Sequence, residues 1–134
     1  MTDLCSRLQD VTEAGVYVLN CPLTMLEANV ALSGLSLLEC DLADVTGKGA
    51  VLAKLAQVLK APDWFGHNWD ALADVMTDLA WLPAEGYVLL LRNGGERLGL
   101  SDADFEVASG VFSDTVQYWK LQKKPFWVLL SNDL

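Results

Sequence analysis

PDWFGHNWDALADVMTDLAWLP, residues 62–83, holds three tryptophans and four aspartates and not one lysine or arginine. Pro62 ends any helix that precedes it, and the side chain of Asn68 is suited to cap a new one. The spacing predicts that this second helix runs from Trp69 to about Leu79. At about 100° per residue, Trp69, Leu72, Val75, Met76 and Leu79 share a core-seeking side. Asp70, Asp74 and Asp78 recur one turn apart across from it. Gly66, in the turn DWFGHN, occupies a place where positive φ is expected.

The flanking sequence supplies a sheet. VYVLN (16–20), LSLLEC (35–40), GYVLLLRN (86–93) and PFWVLL (125–130) read as strands, rich in β-branched, leucine and aromatic residues. The unbroken apolar run of 86–93 predicts a strand covered on both faces, as in a parallel sheet between helices. LTMLEANVAL (23–32) and AVLAKLAQVLK (50–60) have helical periodicity, and a long helix is expected from about Asp102 to Gln122, with a break near Gly110. Residues 3–10 suit a short helix. The order predicts one α/β domain of three layers spanning 1–134, a small parallel sheet flanked by helices. No linker, repeat or low-complexity tract interrupts it.

With 134 residues the chain suits one domain with a sizeable core. Its 18 acids against 9 bases give a net charge of −9, which repels nucleic acid phosphates and anionic lipids and favours a basic protein as partner. MTDLCSRLQDVTEAG lacks the continuous apolar core of a secretory signal, and no apolar run is long enough for a membrane span. Cys5, Cys21 and Cys40 are odd in number and lack metal-like spacing, so reduced thiols in a cytoplasmic protein are expected.

The acidic stripe needs an explanation, because like charges at i,i+4 disfavour a helix and no Lys or Arg lies between Ala61 and Leu91. One reading is a solvated polar face. The other is a surface kept ready for positive groups on a partner, with Trp64 and Phe65 as loop anchors and one of them folding back to seal the core. Enzyme readings are weaker. Asp70 and Asp74, one turn apart and both exposed, have no feature that would split their pKa values into acid and base. His67, Asp70 and Asp74 lack metal-site spacing and a fourth ligand. No nucleophile pairs with a histidine, no glycine-rich phosphate loop appears, and NGG at 93–95 is a turn. Neither metal nor cofactor is expected.

APDWFGHNWDALADVMTDL (61–79) is similar to the barstar family, intracellular protein inhibitors of small secreted ribonucleases, through the pattern P-x-aromatic-aromatic-G-x-N-x-D-A-L-x-D. The likeness extends more loosely over residues 35–130, making residues 1–34 an extension packed on a family core. It implies a non-catalytic protein, monomeric when unbound, that plugs the active-site cleft of a basic ribonuclease. Asp74 would be the principal anchor, Asp70 a second charged contact and Trp64 a stacking aromatic. Gly66 and Asn68 would shape the loop, with His67, Ala73 and Asp78 on the same surface. Two positions depart from the founding inhibitor: Ala73 stands where it has tryptophan, and Val116-Gln117-Tyr118-Trp119 where its late helix supplies a glutamate. The alternative is therefore a barstar-like interaction module whose partner is no ribonuclease.

Overall fold

The computed structural model describes residues 4–63 and 65–131. Two short 3-10 turns, Leu4–Arg7 and Val11–Glu13, lead into strand β1 (Val16–Val18). Then follow α1 (Leu23–Ser33), β2 (Ser36–Asp41), α2 (Lys48–Val58), α3 (Trp69–Met76), β3 (Tyr87–Arg92), α4 (Asp102–Leu121) and β4 (Phe126–Ser131). The four strands form one sheet in the order β1-β4-β3-β2, every pair parallel. A small parallel sheet flanked by helices is therefore the architecture, as expected.

Register assigns each strand residue to a face. Tyr87, Leu89 and Leu91 align with Phe126, Val128 and Leu130 and with Ser36, Leu38 and Cys40. This side packs under α2 and α4, with the Tyr87 ring 5.4 Å from that of Trp119. Val88 and Leu90 align with Trp127 and Leu129 on the opposite side. There the Trp127 indole N–H donates to the Leu8 carbonyl at 2.8 Å, the Tyr17 ring lies 5.7 Å from it, and α1 packs on the first 3-10 turn. Val88, Leu89 and Leu90 are all 0% exposed. That two-sided burial is why the strand sequence shows no alternation.

Close packing at the foot of the sheet depends on Gly86. A Cβ there would lie 2.7 Å from the Pro125 carbonyl oxygen and from a Leu35 methyl, so the strand entries can approach only without a side chain.

Four details differ from the sequence reading. The segment before β1 forms 3-10 turns in place of a helix over 3–10, too short to nucleate an α-helix. β1 stops at Val18, so Leu19 and Asn20 leave the strand. α4 continues through Gly110, which points to solvent. Its cost of about 1 kcal/mol relative to alanine is outweighed by the buried row Ala108, Phe112, Thr115, Val116 and Trp119. The expectation of three reduced thiols is also corrected: Cys5 and Cys21 form a disulfide, with Cα atoms 6.5 Å apart, and Cys40 alone is free and buried.

Candidate partner-binding surface

The segment between α2 and α3 is built by turns that hold one another. Past Leu59, Lys60 takes a left-handed φ of 52°, and the Phe65 amide donates to the Pro62 carbonyl at 3.0 Å, closing the next turn. Phe65 folds back into the core, 7% exposed. Trp64 lies outside the described residues. Next to the helix start it is His67 that is left-handed, at φ 53°, whereas Gly66 has no positive φ. Glycine is suited to position 66 by proximity instead: a Cβ would approach the Asn68 amide nitrogen at 3.1 Å. The His67 ring stands edge-on to Phe65, centroids 4.9 Å apart, and the residue itself is exposed.

Asn68 performs the capping expected of it. Its backbone is extended, its Oδ1 accepts from the Ala71 amide at 2.7 Å, and its Nδ2 donates to the Gly66 carbonyl at 3.3 Å. Loop and helix start are thus fixed by one side chain. Behind them Trp69 is buried and donates its indole N–H to Asp104 Oδ1 at 3.3 Å. Leu72, Val75 and Met76 complete the buried face of α3.

Asp70 and Asp74 stand on the outer face of α3, exposed, and take part in none of the ion pairs among the described residues. Ala73 lies between them in the chain, half-buried, its carbonyl accepting from the Thr77 hydroxyl at 2.8 Å. Asp78 does not extend the row. The helix ends at Met76, two residues before it, and Asp78 Oδ1 accepts from the Ala80 amide at 3.3 Å in a local turn. Leu79, expected as the last helical residue, is left-handed at φ 53°. The acidic surface is therefore a pair on the helix with a third acid at its exit.

Two residues that the sequence reading did not single out as supports hold this arrangement from behind. Trp119, on α4, donates its indole N–H to the Met76 carbonyl at 2.8 Å, satisfying the end of α3. Trp81 donates to the Leu59 carbonyl at 3.0 Å and ties the exit of α3 to the end of α2. A tryptophan following a short amphipathic helix was the available signal, but its acceptor lies too far away in sequence to read.

Residues 35–131 match the model of one protein family, Barstar (barnase inhibitor). The chain belongs to the barstar family. No curated protein matches it. The barstar match spans β2 through β4, so the candidate surface lies inside it, and the two 3-10 turns, β1 and α1 lie outside. As a barstar-family protein the chain is a non-catalytic, inhibitor-type module for protein–protein interaction with a basic partner. Among the described residues, no three or more His, Cys, Asp or Glu side chains are grouped to hold a metal ion. No described helix is long and apolar enough to cross a membrane.

Proposed function

We propose that this protein inhibits a basic ribonuclease by placing the carboxylates of Asp74 and Asp70 where the enzyme's cleft receives substrate phosphates. The observation carrying this reading is that both acids are exposed on a braced helix and are engaged by no cation of the chain among the described residues. A charge held free but fixed in position is suited to a cationic cleft, where charge-assisted hydrogen bonds form without a competing internal partner. Asp74, near the middle of the surface, is the principal anchor and Asp70 the second. Trp64 stacks on the enzyme, Gly66 and Asn68 keep the loop in shape, and His67, Ala73 and Asp78 complete the contact area. The reaction is blocked by occupancy; nothing is catalysed.

Mixing the full chain with barnase, the enzyme named in the family's description, tests the reading. The expected result is a one-to-one complex by calorimetry, loss of RNA cleavage, and weakening of both by the double variant Asp70→Ala/Asp74→Ala. Association slows as salt is raised, because the encounter is steered by opposite charge.

A barstar-like module for a basic protein other than a nuclease is the second reading. The small Ala73 leaves little bulk between the acids, and late on α4 Gln117 and Tyr118 are exposed where the founding inhibitor has its glutamate, Asp114 being the nearest exposed acid, one turn earlier. Capture of a non-nuclease partner that the double variant fails to bind, with no inhibition across a panel of basic ribonucleases, would select it.

A further inference from the structure

The three cysteines are divided by the sheet. Cys40 belongs to the side of β2 that faces α2, in register with Leu91, and its thiol is buried. Burial pushes that thiol up to about 12, so it carries almost no thiolate at neutral pH and does not take part in exchange. Cys5 and Cys21 belong to the segment that covers the opposite side, where Leu8 receives the Trp127 indole. Only these two are in bonding contact. They are 16 residues apart, Cys5 lying within the first 3-10 turn, and the loop they close contains the second turn and all of β1.

The two sulfurs are not equivalent. Cys5 is 1% exposed, at the bottom of the contact with α1, whereas Cys21 is only partly buried at the entry to that helix. β1 is three residues long and exposed throughout. Among the described strands it pairs with β4 alone, at the edge of the sheet. Further anchorage of the loop comes from the Trp127–Leu8 hydrogen bond and from Lys120, which donates to the Thr12 carbonyl at 3.3 Å. A cross-link enclosing so short a strand contributes a large share of what keeps it docked.

We infer that Cys5 and Cys21 form a reversible thiol–disulfide site that fastens the N-terminal segment over the second side of the sheet, with glutathione disulfide or a similar small disulfide as oxidant. The Cys21 thiolate, being reachable, attacks one sulfur of glutathione disulfide. That S–S bond breaks, and one glutathione leaves as thiolate with the electron pair. The Cys5 thiolate then attacks Cys21 Sγ in the mixed disulfide and displaces the second glutathione. Two protein thiols are oxidised, one glutathione disulfide is reduced to two glutathione thiols, and the two protons end on those thiols. Excess glutathione runs the sequence backwards, again entering at Cys21.

The test uses the full chain, reduced and then exposed to glutathione disulfide, with products weighed by mass spectrometry. Wild type is expected to lose two thiols and retain no glutathione. Cys5→Ser retains one glutathione, on Cys21, whereas Cys21→Ser retains none over the same interval. Hydrogen exchange on wild type, bridged against reduced, is expected to show amides of β1 and the preceding turns opening on the order of a hundredfold more readily once the bridge is cut, the loop-closure scale for a ring of this size. Amides of α3 are expected to be unchanged. The proposal is overturned by two free thiols remaining at Cys5 and Cys21 after oxidation, by glutathione retained equally in both variants, or by identical exchange in the two wild-type forms. The exchange comparison needs no variant to fold, and the outcome is independent of whether any nuclease is bound.

Discussion

The sheet is covered differently on its two sides. Over one side, α2, α3 and α4 lock together through side chains far apart in sequence: Trp69 on Asp104, Trp119 on the Met76 carbonyl, Trp81 on the Leu59 carbonyl. Over the other, the cover is short and local, two 3-10 turns and a helix burying Leu26 and Val30. The first side positions exposed carboxylates, and that requires fixed directions, which hydrogen-bonded indoles supply. The second removes apolar strand residues from water, and that requires only area. A surface that binds and a surface that seals are therefore built from different interactions, and substitutions should separate them.

The largest expected effect is on the sealing side. Trp127→Ala removes a fully buried ring and the bond to Leu8, and should lower unfolding free energy by about 3–5 kcal/mol, read as a shifted urea midpoint. An unshifted midpoint would mean that the second cover is dispensable. Next, Asp74→Ala should weaken binding to a cognate basic nuclease by roughly 2–5 kcal/mol, the general cost of truncating one partner of a buried, hydrogen-bonded charge pair, a principle for which barnase–barstar is itself a reference system. The urea midpoint should move little, and equal affinity by calorimetry would remove Asp74 from the interface.

Asn68→Ala sharpens the contrast, because it touches both properties. It should cost about 1 kcal/mol of stability and also reduce affinity, by loosening the loop that the amide holds at Gly66. A loss of stability alone would show that the loop keeps its shape without the cap.

The smallest effect concerns Asp41, away from both surfaces. Its carboxylate accepts from the Ala43 amide and the Asn93 side chain, each at 3.0 Å, and these bonds hold its pKa below the usual carboxylate value. A pKa lowered on folding adds stability above the unfolded value of about 3.9, and that stability disappears as pH falls through the folded one. Wild type should therefore exceed Asp41→Ala at neutral pH by a margin that closes in acid. A margin constant with pH would assign the difference to something other than the ionised form.

Much of α3 could be read from the chain, because its determinants are local: the cap at Asn68, the buried set Trp69, Leu72, Val75 and Met76, and the outward Asp70 and Asp74. Its end could not. The periodicity continues to Leu79, but the Met76 carbonyl is taken by Trp119, 43 residues on, and the chain turns there. Gly66 was misread for a related reason. Glycine signals freedom in φ, while the need at this position is room beside Asn68, and the left-handed residue is its neighbour His67. The Cys5–Cys21 pairing was equally hidden, since three spaced cysteines do not reveal which side of a sheet each occupies. Strand identities were legible, whereas the order β1-β4-β3-β2 is a property of the assembled sheet.

Both ends of α3 are joined to the twenty-residue α4, one through the Trp69 indole and the other through the Met76 carbonyl. An eight-residue helix on its own would flicker in water; tethered at two points, it shares the vibrations of its larger neighbour. Little motion is left to be frozen when a partner docks, so the heat of association at successive temperatures should track the apolar area covered, without the excess that accompanies a segment folding as it binds.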